Sequence, residues 1–232
     1  MLPIPKGSTK CYNRRMISLI AFLGNYGREY EKTRHNAAWI FEDTLPFASK
    51  ISWKNKFKGQ FATVDTVTLK SWCEEAGLNG DKNINLPNGI GDKFYFLMPE
   101  TYMNLSGDAI GEAAHFLKIK PEEILVVHDE LELPIGTVSL KYSGGLGGHN
   151  GLRSTKANLG TADFWRLRFG ISKPTNGNIA DYVLSSFTSD EQIILSQIFP
   201  QVHQLFAKVL FSANPQNLIA QWGKRKLVPD VK

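Results

Sequence analysis

The residues able to do chemistry in this chain are histidines, carboxylates and side-chain amides, and they gather in four short stretches. GNYGREYEKTRHNAAW, residues 24–39, carries Asn25 after an apolar run and then His35 and Asn36. MPETYMNLSG, residues 98–107, carries Tyr102, Met103, Asn104 and Ser106. VVHDELELPIG, residues 126–136, closes another apolar run on His128, Asp129 and Glu130. GGLGGHNGLR, residues 144–153, sets His149 and Asn150 among five glycines. A neutral imidazole can take a proton from water, a carboxylate can orient the imidazole, and amides can hold a carbonyl and its developing oxyanion. Each residue also has a plainer role. A lone helical histidine is more often structural, Asn104 or Ser106 suits a helix N-cap, and a solvated strand end explains the charge around Asp129.

Several common active sites are absent. There is no G-x-x-x-x-G-K-[ST] phosphate loop. The dinucleotide pattern G-x-G-x-x-G matches Gly145 and Gly147 but meets Asn150 in its last place. No G-x-S-x-G elbow offers a nucleophilic serine. The five histidines lack H-E-x-x-H spacing, so a metal site would have to be assembled from distant segments. Neither Cys11 nor Cys73 has a base beside it.

Composition bounds the rest. A chain of 232 residues, 42% hydrophobic and 21% charged, suits one globular domain. No apolar run approaches the ~20 residues of a membrane helix. Two cysteines are too few for a disulfide framework and point to a reducing, cytoplasmic setting. The net charge of +5 invites a nucleic-acid partner, but four of the 27 basic residues lie in residues 1–15 without an acid. The remaining 23 nearly balance the 22 acids, so local basic clusters must carry that argument. Residues 1–15 read as a basic N-terminal tail, a candidate for disorder, and residues 16–232 as the domain. The apolar run Met16 to Leu23 behind the tail resembles a secretory signal, yet it is short, lacks a small-x-small cleavage site and runs into a polar motif. A buried first strand fits it better.

The elements that must position these residues follow from periodicity. Near-continuous apolar runs at residues 16–23, 93–98 and 124–127 read as strands buried on both faces of a largely parallel sheet. Residues 29–41 and 105–117 read as amphipathic helices, with His35 about two turns into the first. Residues 54–72 open with a short strand or hairpin, residues 76–92 read as a surface loop, and residues 164–171 alternate as a strand with an arginine-bearing face. Residues 188–211 and 215–226 read as C-terminal helices. Strand–helix alternation gives the α/β class, a single-domain three-layer α/β/α sandwich around a mixed, largely parallel sheet. In such sheets ligands bind beyond the carboxyl ends of the strands, where Asn25, Asn104 and Asp129 would meet.

Taken in order, residues 24–39, 98–107, 128–154 and 164–174 resemble the bacterial-type peptidyl-tRNA hydrolase family, and the resemblance spans most of residues 17–211. It implies a usually monomeric single-domain enzyme. Such an enzyme cleaves the ester between a peptide and the tRNA 3′ end, recycling tRNA, without metal or organic cofactor, membrane or obligate protein partner. His35 matches the family's catalytic base, Asp129 the carboxylate paired with it, and Asn25, Asn104 and Asn150 its active-site amides. Tyr30 and Tyr102 match positions associated with tRNA, and Met103 a site-lining methionine. Lys141, Arg153, Arg166, Arg168 and Lys173 are then expected to line a basic surface for phosphates. Two other classes fit the pattern less completely. A catalytically silent RNA-binding relative has no need of the histidine, carboxylate and amides together. A peptidase of similar architecture has no need of the tRNA body. The chain departs from the family pattern at Tyr26 (commonly proline), Ala38 (commonly glycine), Ser143 at the head of the glycine run, and ISKP at residues 171–174.

Overall fold

The computed structural model describes residues 17–78 and 93–228. The 1–15 tail and most of the 76–92 loop lie outside the described residues. Among the described residues, eight strands form one sheet in the order β2-β3-β4-β1-β5-β7-β6-β8. Its centre is parallel: β1 (Leu19–Phe22) lies between β4 (Lys93–Pro99) and β5 (Ile124–Glu130), and β5 pairs with β7 (Trp165–Gly170). These strands are apolar on both faces because helices cover both. α1 (Ala37–Asp43), α2 (Thr66–Glu75) and α6 (Ser189–Leu210) pack on one side through Phe22, Phe41, Leu69, Phe169, Phe199 and Phe206. α3 (Ser106–Leu117) and α4 (Asn150–Leu159) cover the other through Leu23, Leu97, Ala109, Ile110 and Leu152. β1 is wholly buried, as expected of a first strand in the core.

The antiparallel pairings lie towards the two edges of the sheet. β2 (Lys54–Lys56) and β3 (Gly59–Asp65) form a hairpin against β4, and β6 (Thr137–Tyr142) returns along β7. At the C-terminus the helical reading of residues 215–226 holds only in part. A 3-10 turn leads into α7 (Ile219–Trp222), and Arg225–Lys226 then form β8 on the free edge of β6.

The segment after β1 departs further from its expected helix. Residues 29–41 are two 3-10 turns, Arg28–Tyr30 and Arg34–Asn36, followed by α1. Thr33 interrupts them with extended backbone, because it bridges to Ser186 while its hydroxyl donates to the Tyr30 carbonyl. His35 therefore stands on a tight turn immediately before α1, not two turns into a helix. On the opposite face, Gly107 lets α3 and α4 touch: a Cβ there would lie 2.1 Å from the Ser154 carbonyl oxygen.

Candidate active site

The carboxyl ends of β1, β4 and β5 open into a cavity of about 580 Å³ lined by Asn25, His35, Tyr102, Asn104, Asp129 and Asn150, with Tyr30 and Met103 also on its wall. Asp129 is almost fully buried at the end of β5. His35 Nδ1 lies 3.0 Å from both of its carboxylate oxygens. With Nδ1–H donating there, neutral His35 keeps Nε2 as its proton acceptor. Burial pulls the His35 pKa down, but the charge and hydrogen bond of Asp129 more than offset it, and the net shift is upward from 6.5. Burial also opposes ionisation of Asp129, yet its two histidine partners hold the carboxyl far below the usual range.

The amides are positioned from the backbone. Asn36, completely buried, accepts from the Asn25 amide N–H at 2.8 Å and donates to the Asn25 carbonyl at 3.0 Å. Asn25 Oδ1 in turn accepts from Met103 N–H at 2.7 Å, tying the β1 end to the turn that presents Asn104. This orientation leaves Asn25 Nδ2 as a donor for a ligand. Ser106 bonds back to Met103, and Asn104 faces the cavity without capping α3.

The second imidazole on Asp129 is not apparent from composition or spacing. His149 caps α4: its Nδ1 accepts from Leu152 N–H at 3.4 Å, and its Nε2 lies 2.9 Å from Asp129 Oδ1. Nε2 is therefore the protonated nitrogen. One carboxylate thus orients two rings whose centroids are 5.0 Å apart. The only sequence signal was a histidine inside the glycine run. His128, fully buried beside His149, is driven well below its ordinary pKa by burial and by the nearby His149, and it stays neutral.

The expected basic surface is corrected by burial. Arg166 is 1% exposed, and its guanidinium donates to the carbonyls of Gly144 and Gly145 at 2.8 and 2.7 Å. Its strand is sandwiched between β5 and β6, and the glycine loop lies over the arginine end. Arg166 therefore anchors the loop that carries His149 and Asn150 and offers nothing to solvent. Arg168 is engaged by Glu130 at 3.2 Å and Ser139 at 2.6 Å, and Lys173 is paired with Glu132 at 2.6 Å. Lys141, half-buried, has its pKa lowered by burial and by Arg168 and Arg166. Arg153 is exposed at the start of α4.

The remaining wall was missed in the sequence. α5 (Ile179–Val183) is a five-residue helix that brings Ile179, Val183 and Leu184 to the cavity. Its only advance sign was Asn178, whose side chain caps it. Arg34, the residue before His35, holds this wall. Its guanidinium donates to Ser185 and Ser186, pairs with Glu191 at 2.6 Å and stacks on Tyr182 at 4.3 Å. Among the described residues, one set has metal-ligating geometry: His35, Asp129 and His149 each offer an atom within 4.8 Å of the others.

A three-layer α/β sandwich with an imidazole–carboxylate pair and converging amides at the carboxyl edge of its sheet has the equipment of a hydrolase that activates water by general-base catalysis. The peptidyl-tRNA hydrolase family model matches residues 19–228. A peptidyl-tRNA hydrolase of Treponema pallidum is 42% identical over 216 residues, covering 91% of this chain and 97% of that protein. One of Desulfitobacterium hafniense is 44% identical over 183 residues, 78% of this chain and 86% of that protein. The crystal structure of peptidyl-tRNA hydrolase from Acinetobacter baumannii superposes with a TM-score of 0.70 at 33% identity, covering 89% of this chain and 96% of that one. The chain belongs to the peptidyl-tRNA hydrolase family.

Proposed function

We propose that this protein hydrolyses the ester joining a peptide, or an N-blocked amino acid, to the 3′ end of tRNA. The observation that carries the reading is the His35–Asp129 pair set among three asparagines, in a chain of this family. His35 Nε2 takes a proton from water as the water attacks the ester carbonyl. Asp129 holds the ring in that tautomer and stabilises the imidazolium. Asn25 Nδ2, Asn104 and Asn150 supply donors for the carbonyl and its oxyanion, and acceptors for the peptide backbone, so side-chain sequence is read little. The leaving group is the ribose hydroxyl of tRNA, which recovers its proton from His35.

In the alternative role for Asn25 it selects blocked over free amino groups instead of binding the carbonyl, and Tyr30, Tyr102 and Met103 border the substrate. The tRNA acceptor stem lies along the side marked by Lys141 and Arg153, with Arg168 behind it. The protein works as a cytoplasmic monomer without a protein partner. Among the described residues no helix is long and apolar enough to cross a membrane.

The test is hydrolysis of N-acetyl-aminoacyl-tRNA beside the unblocked aminoacyl-tRNA, with chelator present and His35→Ala as control. Cleavage of the blocked substrate alone, lost by at least about 10²-fold in the variant, is expected. Tight tRNA binding without cleavage would instead make the protein a silent RNA binder. Equal cleavage of an ester with a small alcohol in place of tRNA would remove tRNA from the reading.

A further inference from the structure

The cluster used for catalysis has a second chemical capacity. Two imidazoles and one carboxylate form a donor set suited to zinc and neighbouring transition metals, whereas magnesium prefers oxygen ligands. Their ligand atoms lie within 4.8 Å of one another. All three side chains are strongly buried, with side-chain exposures of 11% for His35, 1% for Asp129 and 8% for His149. They are also held from independent elements: the 3-10 turn before α1, the end of β5 and the cap of α4. All three residues also border the cavity, through which an ion can reach them.

We propose that this cluster is an inhibitory transition-metal site, in which one zinc ion is taken by His35 Nδ1, Asp129 and His149 Nε2. The proposal rests on the assignment of His35 as the base. As the protein stands, both of those nitrogens carry protons directed at Asp129, with His35 Nδ1 at 3.0 Å and His149 Nε2 at 2.9 Å from the same oxygen. Zinc replaces these two hydrogens. Each neutral ring then holds its proton on the other nitrogen, through exchange with solvent and with no net release. For His149 the contact surrendered is the long 3.4 Å bond from Leu152 N–H. For His35 the consequence is functional. Its Nε2, the atom that would accept a proton from water, becomes an N–H and can no longer act as a base. Zinc therefore stops hydrolysis by changing a tautomer, without blocking the cavity or altering the substrate.

The experiment is calorimetric titration of zinc chloride into the chelator-stripped full-length protein, without tRNA, for the wild type, His149→Ala and His149→Gln. The wild type is expected to bind one ion with a micromolar dissociation constant. His149→Ala should weaken that site at least tenfold, and so should His149→Gln, which keeps an acceptor for the α4 cap. Thermal melts identify any variant that has failed to fold. In parallel, zinc over the same range should suppress N-acetyl-aminoacyl-tRNA cleavage by the wild type, and excess chelator should restore it. In the folded variant, the fractional loss at the same zinc concentration should be much smaller. Unchanged zinc affinity in both His149 variants would overturn the proposal, and so would equal fractional inhibition. If no hydrolysis is seen even with chelator, the functional reading fails, while the calorimetry still decides whether the metal site exists.

Discussion

Replacing Asp129 by asparagine tests the centre of the site with almost no change in volume. The wild-type oxygen Oδ1 accepts from both histidines, and Oδ2 lies 3.0 Å from His35 Nδ1. An asparagine must put an NH₂ where one of these oxygens stands. If its oxygen keeps the shared place, the NH₂ faces His35 Nδ1 and favours the tautomer with the proton on Nε2, the wrong atom for a base. If the amide is reversed, the His149 Nε2–H meets a donor. Both orientations also remove the negative charge that stabilises the imidazolium. The expected loss is about 10²–10⁴-fold in single-turnover rate, or roughly 3–5 kcal/mol in the barrier. Binding of uncharged, deacylated tRNA should hardly change, because Asp129 is buried behind the histidines. The pH profile gives a second readout. On the proposed mechanism His35 must be neutral to act, so the wild-type rate should rise with pH through a midpoint above 6.5. In Asp129→Asn the cause that raises this pKa is gone while burial remains, so the residual activity should rise at lower pH. A rate within about tenfold of the wild type, or a midpoint that does not move down, would refute the mechanism.

Further predictions concern the parts that support this centre. Lys141→Ala should weaken tRNA binding and flatten its salt dependence by about one unit of slope. Arg166→Lys should lower kcat by disturbing the 144–150 loop and leave the salt slope unchanged; a flattened slope would return Arg166 to the phosphate surface. Glu42 is 3% exposed, and burial, with Asp43 nearby, raises its pKa from 4.5 to about 7. Because the folded value exceeds the unfolded one, the protonated residue's contribution is complete below pH 4.5 and is lost as pH rises to about 7. Glu42→Gln should therefore raise Tm at pH 8 relative to the wild type, by the equivalent of at most about 3 kcal/mol, with little gain at pH 4; equal shifts at both would contradict the assignment. Gly107→Ala should cost at least about 2 kcal/mol in urea denaturation, since the added methyl meets the Ser154 backbone.

The central strands and α3 were legible because burial on both faces, or on one stripe, writes itself into the order of apolar residues. What depends on distant partners was not. The 29–41 segment carries a helical stripe, but Thr33 leaves the helix to bridge Ser186, about 150 residues away. The arginines of β7 alternate like an exposed face, and only the position of β7 between β5 and β6, beneath the glycine loop, shows that Arg166 is enclosed. His149 was visible as a residue, but its bond to Asp129 depends on where the loop returns. Two departures from the family pattern do acquire a physical meaning. Ser143 and Ser172 stand at φ 57° and 60°, the left-handed region that glycine adopts freely. Each serine hydroxyl finds a partner, Ser143 donating to Asp163 and Ser172 accepting from Ile135 N–H, which offsets part of that strain.

Arg34 gives the site a mechanical property. One guanidinium grips the α5 wall, the first turn of α6 and, through its own backbone, the turn that bears His35. Wall and base therefore share a degree of freedom. An excursion that swings residues 179–186 outward must break the Arg34 contacts or drag His35 from Asp129. Where the Arg34 contacts hold, opening the cavity also draws the imidazole out of line, so water entering the wider site meets a ring no longer aligned to activate it. Amide exchange in residues 34–36 and 183–187 should accordingly report one common opening free energy.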